Sequence, residues 1–167
     1  VQLSAGDSQQ TVLIRLVQAI TPKQRQQLQA FAAQQQCYVV LALNDNVFDV
    51  VAGEFHMAYA LGESQLRFSP DNFIQVNAEV NQRMVAQAID WLEVNEQDHI
   101  LDLFCGMGNF SIPLAQKAAQ VLGVEGESSA VAQAQRNAEL NGLDNVSFVS
   151  ADLSDFGPVL QRQFKTF

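Results

Sequence analysis

Three groups of residues in the second half of the chain could together bind a nucleoside. The first is the segment Asp102–Phe110, DLFCGMGNF, in which Gly106 and Gly108 permit positive φ and a close approach of the backbone to a ligand. The second is Glu125, 17 residues after Gly108, where a carboxylate can accept hydrogen bonds from both hydroxyls of a ribose. The third is Asp152, whose side chain could meet the edge of an adenine.

The glycine spacing separates two classes of nucleoside ligand. A pyrophosphate-binding turn has the pattern G-x-G-x-x-G, whereas the third residue after Gly108 is Ser111 and no basic residue is nearby. A nicotinamide dinucleotide is therefore disfavoured. S-adenosylmethionine contains an adenosine without phosphate, and Asp102 or a backbone carbonyl could face its ammonium group. We expect S-adenosylmethionine, and a nucleotide- or NAD-binding module without transferase activity stays open as the alternative.

Alternating strands and helices would bring these residues to one edge of a sheet. Apolar runs predict strands, and apolar residues at helical spacing predict helices between them. The predicted strands are 99–104, 121–124 and 146–149, and the predicted helices are 111–119 and 128–141. This order is the βαβαβ half of a doubly wound parallel sheet, an α/β fold whose ligands lie at the C-terminal ends of the strands.

The residues before this half-sheet predict a helix and a smaller unit. A helix from about Ala78 to Leu92 carries an apolar face formed by Val80, Met84, Ala88 and Trp91/Leu92, and we expect Met84 and Trp91 to pack in the core. Residues 1–68 alternate strand-like runs with one helix that begins at Thr21-Pro22, which is typical of a small α+β unit. We expect one domain boundary, with units at 1–68 and 69–167.

Composition excludes several classes of protein. With 48% apolar and 16% charged residues among 167, the chain is not intrinsically disordered, and no apolar run approaches the roughly 20 residues of a membrane span. Nine basic against 18 acidic residues give a net charge of −9, so the chain alone should bind polyanions poorly. Two cysteines cannot form a disulfide framework, which fits the cytoplasm, where we expect the protein to act.

Three segments of the chain together resemble the uracil-C5 RNA methyltransferase family. They are FSPDNFIQVNAEVNQRMV at 68–85, LDLFCGMGNFSIPLA at 101–115 and GVEG at 123–126. The M-G-N-F variant is most similar to the bacterial branch that methylates 23S ribosomal RNA. The resemblance implies a Rossmann-like fold and methyl transfer from S-adenosylmethionine to C5 of a uridine in that RNA. Methyltransferases acting on tRNA uracil or on small molecules stay open as alternatives.

The same resemblance implies roles for individual residues. It implies that Gln75 and Phe104 contact the cofactor, that Asn109 lies in the cofactor loop, that Glu125 holds the ribose and that Asp152 lies near the adenine. In the family, a cysteine attacks uracil C6, which makes C5 nucleophilic enough to take the methyl group. A base then removes the C5 proton and the enzyme is released.

Two parts of the family pattern have no counterpart here. In the family the nucleophile and base follow a fourth strand, whereas this chain ends at Phe167 before either of them. The oligonucleotide-binding domain and its iron–sulfur cysteines also have no match. We therefore expect a cofactor-binding fragment of a longer protein, without a catalytic residue or an iron–sulfur cluster, and inactive alone.

The residues that remain point to no further chemistry. In the family the fourth strand pairs with the first, so residues 99–104 should have an open edge through which the fragment self-associates. Cys105 has no basic residue near it in the sequence that would lower its pKa, so we expect a buried thiol rather than a nucleophile. His56 and His99 lack metal-ligand spacing, and we expect no metal site.

Overall fold

The computed structural model describes residues 1–44, 47–53, 55–70 and 72–153. These residues form two compact units. The first comprises residues 1–59 and 69–71, and the second comprises residues 60–68 and those from 72 onward. Residues 60–68, which we expected in the first unit, therefore belong to the second, and residues 69–71, which we expected in the second, belong to the first.

The first unit is built on a four-stranded sheet. Its elements are β1 (Gln2–Ala5), β2 (Gln10–Arg15), α1 (Pro22–Gln35), β3 (Tyr38–Asn44) and β4 (Val47–Val50), and the strand order is β1-β2-β3-β4. Strands β2 and β3 are parallel and α1 connects them, whereas the outer pairs are antiparallel. Leu13, Val40 and Leu41 are almost fully buried in this unit.

Local sequence signals determine where α1 begins. Thr21 caps the helix by accepting a hydrogen bond from the Gln24 backbone N–H, and the Gln24 side chain accepts one from the Thr21 backbone N–H. Pro22 follows at the first helical position, where its missing N–H removes no helical hydrogen bond. The predicted helix start is confirmed. Arg25 then joins the helix to β4 through two hydrogen bonds to the Asp49 carboxylate, at 2.5 and 2.9 Å.

Two short strands come next in the chain, β5 (Met57–Leu61) and β6 (Ser64–Phe68), and they form a two-stranded sheet. The predicted half of a doubly wound sheet follows in the second unit. Its elements are α2 (Ala78–Trp91), β7 (His99–Leu103), α3 (Ser111–Ala115), β8 (Gln120–Glu125), α4 (Ser128–Leu140) and β9 (Val146–Ser150). All strand pairs in the sheet β7-β8-β9 are parallel, which confirms the βαβαβ order.

The central strand β8 is buried because both of its faces are covered. Val121, Leu122 and Val124 are at most 2% exposed. Gly123 is required between them, since a Cβ there would lie 2.5 Å from the Phe148 ring and 2.9 Å from the Cys105 Sγ. The absence of a side chain at residue 123 lets these two groups pack directly on the strand.

Two asparagines near the end of α4 bind the backbone of β6. The Asn137 amide accepts from the Arg67 N–H and donates to the Arg67 carbonyl, at 2.9 and 3.0 Å. One turn later, Asn141 makes the same two contacts with Gln65, at 2.9 and 2.8 Å. Each side-chain amide thus bonds to the β6 backbone as a neighbouring strand would. The Gln133 side chain also donates to the Arg67 carbonyl, at 3.0 Å.

The structure corrects three expectations about individual elements. The predicted apolar face of α2 is wrong at its two ends, because Val80 is 57% and Trp91 75% exposed, whereas Met84 and Ala88 are half-buried and Asn81 and Val85 are buried. Helix α3 ends at Ala115 rather than near Ala119, whose N–H already bonds to the Asp98 carbonyl. Strands β1 and β5 were not predicted. No helix of the described residues is both long and apolar enough to cross a membrane.

Candidate functional site

A tight turn follows β7, and we call Phe104–Phe110 the glycine turn. Three of its residues have positive φ, Phe104 at 59°, Gly106 at 56° and Gly108 at 94°. At Gly108 a side chain would also meet Ile112, since a Cβ would lie 3.0 Å from its Cγ1. Positive φ is strained for a bulky side chain such as Phe104, and such residues concentrate at functional sites.

Glu125 at the end of β8 is hydrogen-bonded to this turn. Its Oε2 accepts from the Gly106 N–H at 3.1 Å, while its Oε1 accepts from the N–H groups of Gly126 and Glu127 at 2.7 and 3.1 Å. The carboxylate is therefore held between the end of one strand and the turn that follows the neighbouring strand.

A cavity of about 650 Å³ lies at the C-terminal ends of β8 and β9, and we call it the strand-end cavity. Three predicted site residues line it, Phe104, Glu125 and Asp152. They meet because Glu125 and Ser150 are paired across the parallel strands, so both strands end at the same edge. The other lining residues are Gly126, Ser150, Ala151 and Leu153. Gly126, Ala151 and Leu153 are next to predicted residues in the sequence, and Ser150 is two positions before Asp152, so adjacency could have identified them.

Asp102 is near this cavity but does not line it. Its Oδ2 accepts a 2.5 Å hydrogen bond from the hydroxyl of Ser111, which is fully buried. Burial raises the pKa of the Asp102 carboxyl, the Ser111 hydrogen bonds oppose that rise, and the charge of Glu125 adds to it. The structure therefore pairs Asp102 with Ser111, and the predicted contact between Asp102 and a ligand ammonium group stays a prediction.

Cys105 does not have the surroundings of a nucleophile. Its side chain is buried, and this burial, together with the charges of Asp102 and Glu125, raises the pKa of the thiol to about 12. The thiol is therefore protonated at neutral pH, and the thiolate is the reactive form. Among the described residues, no group of three or more His, Cys, Asp or Glu side chains could hold a metal ion.

The remaining predicted residues lie outside the strand-end cavity. Asn109 forms a reciprocal amide pair with Asn81 of α2, with both hydrogen bonds at 2.9 Å. Gln75 lies in the exposed segment before α2 and does not line the cavity. The contact of Asn81 with the glycine turn was not predicted, although its helical spacing from Val85, Ala88 and Ile89 is a signal that could have identified a buried asparagine.

A second cavity in the same unit contains none of the predicted site residues. It has a volume of about 660 Å³ and lies beside α2 and α3. Leu61, Val85, Ile89, Val94 and Pro113 are among the apolar residues that line it. Both cavities are lined by carboxylates, but the second also has Lys117, whereas the described lining residues of the strand-end cavity include no basic side chain. This lining suits a neutral or cationic ligand better than a phosphate.

Comparison of the sequence with known proteins gives matches over most of the chain. A family model described as tRNA (Uracil-5-)-methyltransferase matches residues 15–166. The 23S rRNA (uracil(1939)-C(5))-methyltransferases RlmD of Shewanella sediminis and Vibrio cholerae are 44% and 46% identical to this chain over matches that cover 92% of it. The matched regions are 35% and 34% of those proteins, so the chain spans about a third of the length of these curated relatives.

Solved structures share the fold at lower identity. The Pyrococcus abyssi tRNA (uracil-54, C5)-methyltransferase, solved in complex with S-adenosyl-L-homocysteine, has a TM-score of 0.70 and 22% identity over 90% of this chain and 37% of its own. The M. jannaschii tRNA m1G37 methyltransferase has a TM-score of 0.58 and 18% identity over 92% of this chain and 47% of its own. The expected Rossmann-like methyltransferase fold is confirmed.

Proposed function

The chain belongs to the tRNA (uracil-5-)-methyltransferase family, and from this premise we propose that it is the cofactor-binding part of an S-adenosylmethionine-dependent RNA uracil-C5 methyltransferase. The observation that carries the proposal is the position of Glu125. Its carboxylate is bonded to Gly106 of the glycine turn and lines the same cavity as Phe104 and Asp152. These residues surround one space at the strand ends, where ligands of such sheets bind.

The Glu125 carboxylate has the capacity to hold a ribose. Its two oxygens offer about four acceptor sites, and three backbone N–H groups use three of them. One site is therefore left for a ribose hydroxyl. A second hydroxyl can bind to Oε1 if it replaces the N–H of Gly126 or Glu127 there. Both of these hydrogen bonds are exposed, so water can accept from the displaced N–H.

The other lining groups suit the rest of an adenosyl ligand. Asp152 offers a carboxylate that can accept a hydrogen bond from an adenine amino group, and the ring of Phe104 is 73% exposed, so a ligand can bury it. The carboxylates also favour a cation, and S-adenosylmethionine supplies a methyl group activated by its positively charged sulfonium. A volume of about 650 Å³ lies within the range of small-molecule sites.

For the substrate, 23S ribosomal RNA is favoured over tRNA. The curated relatives with 44% and 46% identity are named as 23S rRNA methyltransferases, whereas the tRNA enzyme with the similar structure has 22% identity. A ribosomal RNA substrate implies action in the cytoplasm. The nucleophile that adds to C6 and the base that removes the C5 proton are assigned to other parts of a longer protein, since Cys105 is buried and protonated.

Self-association is part of the proposal because β7 is an edge strand. In the sheet β7-β8-β9, the outer edge of β7 has no neighbouring strand among the described residues. Leu103 at its end is 38% exposed. Edge strands with open N–H and C=O groups pair with other chains unless they are covered. We infer that two copies of this chain associate through this edge.

Calorimetric titration with S-adenosylhomocysteine tests cofactor binding. We expect Glu125→Gln to weaken binding by about tenfold to a hundredfold, because hydrogen bonds to a charged group contribute about 1.5–3 kcal/mol. Glu139→Gln makes the same charge change at an exposed position on α4, so its affinity should equal that of the unaltered chain. Binding of NAD without binding of S-adenosylhomocysteine would favour the nucleotide-binding alternative instead.

A further inference from the structure

Two buried asparagines hold the glycine turn from two different helices. Asn137 of α4 is fully buried and donates a 3.0 Å hydrogen bond to the Met107 carbonyl. Asn81 of α2 is 3% exposed and forms the reciprocal pair with Asn109. The two helices thus contact different residues of the turn. Helix α4 contacts the backbone of Met107, and α2 contacts the side chain of Asn109.

The Asn81 pair restricts Asn109 more than a single hydrogen bond would. Each amide donates to and accepts from the other at 2.9 Å, so the two amide planes are held together and the side chain of Asn109 has one orientation. Asn109 is three residues from Gly106, whose N–H bonds to Glu125. Gly106 and Gly108 have positive φ, and because glycine backbone is conformationally free, the conformation of this turn depends on the contacts that hold it.

We propose that Asn81 is a positioning residue for cofactor binding, which rests on the function proposed above. It does not line the strand-end cavity and acts through Asn109. By holding Asn109, it keeps the glycine turn in the conformation in which the Gly106 N–H reaches Glu125 and Phe104 lies at the cavity. The pair carries no charge, so its effect on affinity should not change with pH near neutrality.

A double-mutant cycle separates positioning from simple stabilisation. We expect Asn81→Ala and Asn109→Ala each to raise the dissociation constant for S-adenosylhomocysteine about threefold to tenfold, as the loss of one or two neutral hydrogen bonds implies. The dissociation constant of the double variant should be no larger than that of the single variant with the lower affinity, because Asn81 acts through Asn109. Effects that multiply in the double variant would overturn the proposal.

Asn141→Ala is the matched control. The Asn141 side-chain amide also makes two hydrogen bonds with one residue, but that residue is Gln65. The third hydrogen bond of the amide is to the Asn137 carbonyl, so none of the three is to the glycine turn. This variant should lower the melting temperature and leave the dissociation constant unchanged. If it weakens S-adenosylhomocysteine binding as much as Asn81→Ala does, Asn81 has only a general structural role.

Hydrogen exchange gives a test that needs no ligand. In Asn81→Ala, the amides of Met107 and Gly108 should exchange faster than in the unaltered chain, and in Asn141→Ala they should not. Unchanged exchange in Asn81→Ala would overturn the proposal. Failure of the unaltered chain to bind S-adenosylhomocysteine would contradict the proposed function instead, and exchange alone would then decide whether Asn81 positions the turn.

Discussion

Glu125 Oε2 accepts a hydrogen bond from the Gly106 N–H at 3.1 Å, which joins the end of β8 to the turn that follows β7. The two residues are 19 positions apart in the sequence and belong to neighbouring parallel strands and their turns. The acidic residue therefore does more than face a cavity, because it also holds the backbone that shapes one side of it. Changes at Glu125 should affect both the ligand and the turn.

Asp102→Asn should stabilise the protein at neutral pH. Burial raises the pKa of Asp102, so the native state holds its proton more tightly than the unfolded chain does. The stability of the unaltered chain should therefore fall as pH rises from the ordinary carboxyl pKa through the raised one. The amide of the variant cannot ionise and can still accept from Ser111. The free energy of unfolding in urea can be measured from about pH 4, near the ordinary carboxyl pKa, to about pH 7. The value for the variant should rise relative to that of the unaltered chain as pH rises.

The pH series contains its own control, because the two chains are compared at every pH. A stability difference between Asp102→Asn and the unaltered chain that is constant with pH would show that burial of the charge is not its cause.

Gly123→Ala should destabilise the second unit by about 1–3 kcal/mol, the usual effect of overpacking a core. The added methyl group would lie 2.5 Å from the Phe148 ring and 2.9 Å from Cys105 Sγ. Gly126→Ala is the comparison, because its nearest neighbour would be 3.8 Å away, in ordinary contact. Urea denaturation followed by circular dichroism measures both, and equal free energies of unfolding for the two variants would contradict the predicted packing.

Asn137→Ala should be more destabilising than Asn141→Ala. Asn137 is fully buried, and without its amide the Arg67 N–H and the Met107 carbonyl would lose their hydrogen bonds, whereas the Arg67 carbonyl keeps the one that Gln133 donates. Buried groups left unsatisfied cost about 1–3 kcal/mol each, whereas Asn141 is partly exposed and water can replace it. The free energies of unfolding in urea give the comparison, and a larger loss for Asn141→Ala would refute this ordering.

Leu103→Lys should reduce self-association. A charged residue at an edge strand opposes pairing with a second edge, and Leu103 is the exposed last residue of β7. Light scattering over a concentration series should show dimers or larger species for the unaltered chain and a lower mass for the variant. A monomer at high concentration for the unaltered chain would show that the open edge does not mediate association.

Local signals predicted the parts of the structure that depend on neighbouring residues. Thr21-Pro22 marks the start of α1 because the capping hydrogen bonds lie within four residues of each other. The spacing of Gly108, Glu125 and Asp152 predicted a common location because parallel strands end at one edge, and Glu125 and Asp152 line one cavity there.

What the sequence did not predict depends on contacts between distant residues. Trp91 is exposed because α2 turns Asn81 inward, and the partner of Asn81 is Asn109, 28 residues away. Strand β1 was missed because it exists through its pairing with β2 rather than through its own apolar pattern. The orientation of a helix and the presence of a short strand thus followed from partners that periodicity does not reveal.

Nuclear magnetic resonance titration of the isotopically labelled chain with S-adenosylhomocysteine tests the central claim most directly. We predict that the resonances of the Gly106, Gly126 and Ala151 backbone amides shift most, since these residues line or adjoin the strand-end cavity. In Glu125→Gln, the same shifts should require a higher concentration of S-adenosylhomocysteine. A shift at Gln75 would also decide whether that residue contacts the cofactor. Shifts confined to the cavity around Ile89 and Pro113, or no shifts at all, would contradict the account.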